Sequence, residues 1–177
     1  MTKAVKSIML IAGLVWLMAG SAAANTVTFD FTATNFVVVT SPAPPAPQNT
    51  VTGDVTVTFN PLVSSTGGVD AINLAIDGFT YNASQVNFSY NGVTKNMLIG
   101  VGILGTTTAG TNDFSLLFNV ADTTKFSLLV YSTSSRTDTS FSASPVTVAA
   151  VPEPSSLLLL GSGLAGFAGI IRRKLNR

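Results

Sequence analysis

A chain of 177 residues with neither cysteine nor histidine has room for one domain and cannot staple it with disulfides. The same absences remove the usual ligands of zinc, copper, haem and iron–sulfur clusters, and the base of Ser-His-Asp and Cys-His catalysis, so no cofactor is expected. The formal charge of +1 hides a segregation: Lys3 and Lys6 open the chain, Arg172, Arg173, Lys174 and Arg177 close it, and residues 25–150 hold three basic side chains against seven aspartates. Such a mildly acidic body argues against a nucleic-acid partner, whose phosphates need clustered Lys and Arg.

Residues 1–24 read as a secretory signal peptide. Lys3 and Lys6 form its charged start, Ile8–Ala19 its apolar run, and Ala22 and Ala24 supply the small side chains of an A-x-A signal-peptidase site. Cleavage after Ala24 would leave Asn25 as the new N-terminus; an uncleaved N-terminal anchor is the alternative.

Residues 25–148 alternate with period two. Val27/Phe29/Phe31, Val55/Val57/Phe59, Ile72/Leu74/Ile76, Val86/Phe88/Tyr90, Phe114/Leu116/Phe118/Val120 and Phe126/Leu128/Val130 each place β-branched or aromatic residues on one face of a strand. Met97/Ile99/Val101/Ile103 is another such set, in which Gly100 and Gly102 mark a bulge or a close backbone approach. Reversals are expected at Asn60-Pro61, Gly67-Gly68, Asp77-Gly78, Asn91-Gly92 and "GTTTAGTND", with Asn91-Gly92 as the type I′ hairpin. The prolines of "SPAPPAPQNT", Ser41–Thr50, suit an extended polyproline-type loop and not a central strand. The body is therefore expected to be all-β: a single antiparallel β-sandwich, with jelly-roll and immunoglobulin-like topologies both open.

A glycosidase-like carboxylate pair could come only from the aspartates, and none of them sits in a recognisable motif. Most are expected as solvated turn residues, and no D-x-D-x-D-G loop appears to support calcium. Tyr81, Tyr90 and Tyr131 are expected to close a sheet edge.

After a short linker at 149–151 come Pro152, Glu153 and Pro154. An uncharged run, Ser155–Ile171, and the basic cluster Arg172, Arg173, Lys174 and Arg177 follow. The run would rise about 25 Å as a helix, just short of a hydrocarbon core of about 30 Å. It is expected to be a transmembrane helix, with the basic cluster holding its far end in the cytoplasm and the body exported. The prolines stop that helix from propagating backwards and keep the triplet extended. A permanent tail anchor would have the same composition.

The triplet, apolar helix and basic terminus in this order resemble the PEP-CTERM sorting signal, here residues 152–177. The resemblance implies a Gram-negative bacterium, export, and processing by exosortase, a membrane-embedded transpeptidase-like protease. It also implies a link to exopolysaccharide or biofilm matrix. On that reading the partners are signal peptidase, exosortase, the membrane until processing, and exopolysaccharide. The expected function is that of a non-enzymatic cell-surface or matrix protein, with a surface-anchored carbohydrate-binding module as the alternative.

Overall fold

Alternation in "NTVTFDFTAT" builds the first strand, β1 (Asn25–Thr34), with Phe29, Phe31 and Ala33 buried and Asp30, Thr32 and Thr34 exposed. The computed structural model describes residues 24–39, 45–102, 104–137, 139–151 and 163. The remaining strands are β2 (Val37–Val38), β3 (Thr50–Phe59), β4 (Ser65–Gly68), β5 (Ala71–Ile76), β6 (Phe79–Thr80) and β7 (Val86–Tyr90), then β8 (Asn96–Val101), β9 (Asp113–Asn119), β10 (Leu128–Ser132), β11 (Phe141–Ala143) and β12 (Thr147–Val151). A single 3-10 turn, Ala83–Gln85, precedes β7.

The strands form two antiparallel sheets, β12-β1-β3-β5-β6 and β2-β11-β10-β9-β8-β7-β4. Their apolar faces meet. Phe29 of β1 lies edge-on to Phe118 of β9 at 4.9 Å between ring centroids, and Phe59 of β3 lies 4.7 Å from Tyr90 of β7. Tyr81 meets Phe114 of β9, and Phe36 meets Tyr131 of β10, each at 4.8 Å. Such edge-to-face pairs add to the burial of large side chains, which supplies most of the adhesion. The expected all-β body of two antiparallel sheets is therefore present, layered as a sandwich.

Several local expectations are corrected. In β10 the inward face is Leu129 and Tyr131, both fully buried, whereas Phe126 is 64% exposed and Leu128 and Val130 are half-buried. "FSLLVYS" carries apolar residues on both faces, and the phase that wins lets the Tyr131 hydroxyl donate to the Gln48 carbonyl at 2.8 Å. Gly67 and Gly68 do not turn the chain; they pair with Phe88 and Asn87 inside β4, where Gly67 accommodates the Phe88 ring. The two-residue hairpin lies at Asp77-Gly78 between β5 and β6, both with positive φ (50° and 78°) as a type I′ turn needs. At 91–95 the chain instead makes a five-residue loop. There the Asn91 carboxamide accepts from the amides of Val93 and Thr94, and Lys95 takes the positive φ. Tyr81, Tyr90 and Tyr131 lie in the core between the sheets rather than at edges. Gly100 does mark a close approach, because a Cβ there would collide with the Phe114 carbonyl.

The signal peptide with Ala22, the triplet Pro152, Glu153 and Pro154, and the basic cluster Arg172, Arg173, Lys174 and Arg177 lie outside the described residues, as do Ile103 and Asp138. So does the expected spanning helix, 155–171, apart from Gly163, which is helical. Among the described residues no helix is long and apolar enough to cross a membrane. Ala24 is described, exposed and just ahead of β1.

Candidate functional site

Two features outside the core can bear function: the junction between the body and the C-terminal segment, and the outer face of the five-stranded sheet. The junction is β12, an edge strand. It pairs with β1 from Thr147↔Thr32 through Phe31↔Val148 and Phe29↔Ala150 to Thr28↔Val151. Val148 is its one buried side chain. Residues 149–151, expected as linker, are thus the last three residues of a paired strand, because β1 offers them a free row of amides and carbonyls. The next residue, Pro152, has no N–H to donate.

The outer face is built from a pattern that alternation alone disguises as ordinary solvent-facing polarity. "TVTFDFTAT" (26–34) and "TVTGDVTVT" (50–58) share the spacing T-V-T-x-D-x-T-x-T. β1 and β3 are antiparallel in the register that superposes like on like. Thr26 faces Thr58, Thr28 faces Thr56, Asp30 faces Asp54, Thr32 faces Thr52 and Thr34 faces Thr50. The hydroxyls of Thr26 and Thr58 are 2.7 Å apart and those of Thr28 and Thr56 2.8 Å, so these pairs are hydrogen-bonded. Cross-strand Thr pairs favour a sheet, while two like charges directly opposite disfavour it. Asp54 is relieved by Asn73 of β5, whose Nδ2 donates to its Oδ1 at 2.9 Å.

Around this row opens a depression of about 510 Å³, lined by Asp30, Gln48, Thr52, Gly53, Asp54 and Asn73 among others. Its floor must be glycine, since a Cβ on Gly53 would lie 2.8 Å from the Asn73 carbonyl and 3.0 Å from the Phe31 ring. Gln48 is fixed at the rim, donating to the Thr50 carbonyl at 2.8 Å and accepting from the Asp77 amide at 2.7 Å. The result is a broad array of hydroxyl, carboxamide and carboxylate groups, able both to donate to and to accept from a polyhydroxylated chain. The repeat was legible as a pattern; that it pairs with itself depended on the register.

Asp113, expected like the other aspartates to be a solvated turn residue, is 6% exposed at the start of β9. Its Oδ2 accepts from the Thr108 amide at 3.1 Å, while its Oδ1 has no partner, and burial raises its pKa. The Tyr81 hydroxyl is likewise buried without a partner, and burial, with Asp113 as a lesser cause, raises its pKa well above the ordinary phenol. Burial also pushes the Tyr131 hydroxyl up to about 12. Among the described residues no three acidic side chains gather to hold a metal ion.

No curated protein and no solved structure matches the chain. A family model described as the PEP-CTERM protein-sorting motif matches residues 150–174, from the last two residues of β12 to Lys174. The chain thus carries at residues 150–174 a PEP-CTERM sorting motif, which indicates export and processing by an exosortase.

Proposed function

We propose that this protein is a non-enzymatic component of the cell surface or extracellular matrix. Signal peptidase would remove residues 1–24, the C-terminal helix would hold the body transiently at the membrane, and exosortase would free it by cutting near Pro152–Pro154. Once delivered, it associates with exopolysaccharide. The observation that carries this reading is the paired threonine face of β1 and β3, with Asp30, Asp54 and Asn73 at its centre. Polysaccharide hydroxyls and threonine hydroxyls are interchangeable hydrogen-bonding partners, so a regular array suits weak, repeated contacts along a chain more than capture of one small molecule.

Co-sedimentation of the full-length protein with the exopolysaccharide of the producing cells tests it. Changing Thr28, Thr32, Thr52 and Thr56 together to valine keeps shape and strand propensity but removes four hydroxyls. Each lost net hydrogen bond of about 1 kcal/mol lowers affinity about fivefold, so retention on the polysaccharide should fall more than about tenfold. Unchanged retention would remove the threonine face from the interaction. The depression at Asp30, Gln48, Asp54 and Asn73 favours a second reading, a specific carbohydrate-binding module. Saturable binding of one defined oligosaccharide, retained when only Thr28, Thr32 and Thr56 are changed to valine, would select it.

A further inference from the structure

Four of the seven exposed large apolar side chains among the described residues gather at one end of this body, the others being Val37, Val39 and Val151. Leu62 (67% exposed), Val63, Val93 (88%) and Phe126 (64%) stand on three loops, 60–64, 91–95 and 120–127. The loops are joined. The Gly92 amide donates to Ser64 Oγ at 2.9 Å, and Lys95 Nζ donates to the Pro61 carbonyl at 2.9 Å. The Val120 amide donates to the Lys95 carbonyl at 2.8 Å, and Asn119 Nδ2 to the Thr94 carbonyl at 2.9 Å. Gly92 lets the first two pack closely, since a Cβ there would lie 2.7 Å from the Val63 backbone.

The chain leaves the body at the same end. Asn25 opposes Phe59, the residue before the first loop, and Val151 opposes Thr28, three positions further along β1. Ala150 opposes Phe29, whose ring touches Phe118, one residue before Asn119. The loops also carry Lys95 and Lys125, two of the three basic side chains of residues 25–150. One aspartate lies among them, Asp122. Its carboxylate is engaged by the Thr124 hydroxyl at 2.6 Å and the Thr124 amide at 3.1 Å, which lowers its pKa.

Exposed apolar residues interspersed with lysine match a lipid surface bearing anionic headgroups. The tether is also short. β12 ends at Val151 and the uncharged run begins at Ser155, four Cα steps that extend at most about 14 Å. We propose that the end of the body formed by loops 60–64, 91–95 and 120–127 rests on the lipid surface of the membrane entered by segment 155–171, for as long as the chain is uncut. The proposal rests on reading that segment as a spanning helix. A few side chains on loops bind lipid only weakly, so contact depends on the tether and ends when exosortase removes it.

The absence of native cysteine allows a direct test. The full chain carrying Val93→Cys, Val37→Cys or Leu164→Cys is labelled with an environment-sensitive fluorophore. It is then reconstituted in vesicles of phosphatidylethanolamine and phosphatidylglycerol containing an acyl-chain spin-label quencher. The expected result is loss of emission at positions 93 and 164 and retention at position 37, which is 63% exposed on β2. Quenching at 164 without quenching at 93 would leave the spanning helix standing and overturn the docked body. No quenching at 164 would overturn both. A signal at 93 that follows protein density and not the quencher would assign these loops to a second copy, and the lipid contact would fall.

Discussion

Asp113 shows how one side chain can set the pH response of a fold that has no histidine. One carboxylate oxygen accepts from Thr108 and the other accepts from nothing, in a residue 6% exposed. Burial raises its pKa above the ordinary carboxylate value, against the lowering effect of the hydrogen bond from the Thr108 amide. Between the unfolded and folded pKa values the folded chain therefore binds more protons, and stability falls as pH rises. The contribution is fully present below the unfolded value and is lost as pH climbs through the raised one. Asp113→Asn abolishes the titration while keeping an acceptor for the Thr108 amide. At neutral pH the variant should melt at a higher temperature than the native chain. The advantage should vanish below about pH 4, the ordinary carboxylate range. A difference that does not change with pH would mean that Asp113 titrates alike in both states.

At the scale of elements, β12 is the least secured part of the larger strands. β1 holds it on one side only, and Val148 alone reaches the core. Val148→Ser should cost about 2 kcal/mol through lost apolar burial and a newly buried hydroxyl. Hydrogen exchange should show the loss concentrated in the amides of Thr147–Val151, with β9 and β10 keeping their protection. Loss spread evenly over all strands would instead make β12 an integral part of the cooperative core. The strands themselves were legible wherever one face alone is apolar, as at Val27/Phe29/Phe31 and Val55/Val57/Phe59. β10 was not, because Phe126, Leu128 and Val130 compete with Leu129 and Tyr131, and a partner 83 residues away, Gln48, decides the phase. Turns were legible in place at Asn60-Pro61, Asp77-Gly78 and Asn91-Gly92, but not at Gly67-Gly68, and the type I′ hairpin lies at Asp77-Gly78 and not at Asn91-Gly92. Asn91-Gly92 and Asp77-Gly78 carry equivalent signals, and the first is drawn into a longer loop by packing of Gly92 against Val63. The threonine face required a register that no single strand reveals.

For the whole molecule, the first long strand pairs with the last, and the two described ends of the sheet lie side by side. β1 begins at Asn25, opposite Phe59, and β12 ends at Val151, opposite Thr28. The expected signal-peptidase cut after Ala24 and an exosortase cut within 152–154 would therefore each fall just outside a paired residue. Among the described residues neither cut takes a ladder hydrogen bond from the sheet or an apolar side chain from the core, so neither should change the stability of what remains. A processed species recovered from the producing cells, with its ends set by intact mass at Asn25 and near Glu153, should melt at the same temperature as the tailed precursor in detergent. Moving the end back to Val146 deletes β12, uncovers the β1 ladder and exposes the flank of Phe29 and Phe31. Such a chain should still unfold cooperatively, but at a lower temperature than the species ending near Glu153. A species ending near Glu153 that melted well below its precursor would show that the C-terminal segment stabilises the body. The motif would then act as a structural element as well as a removable address.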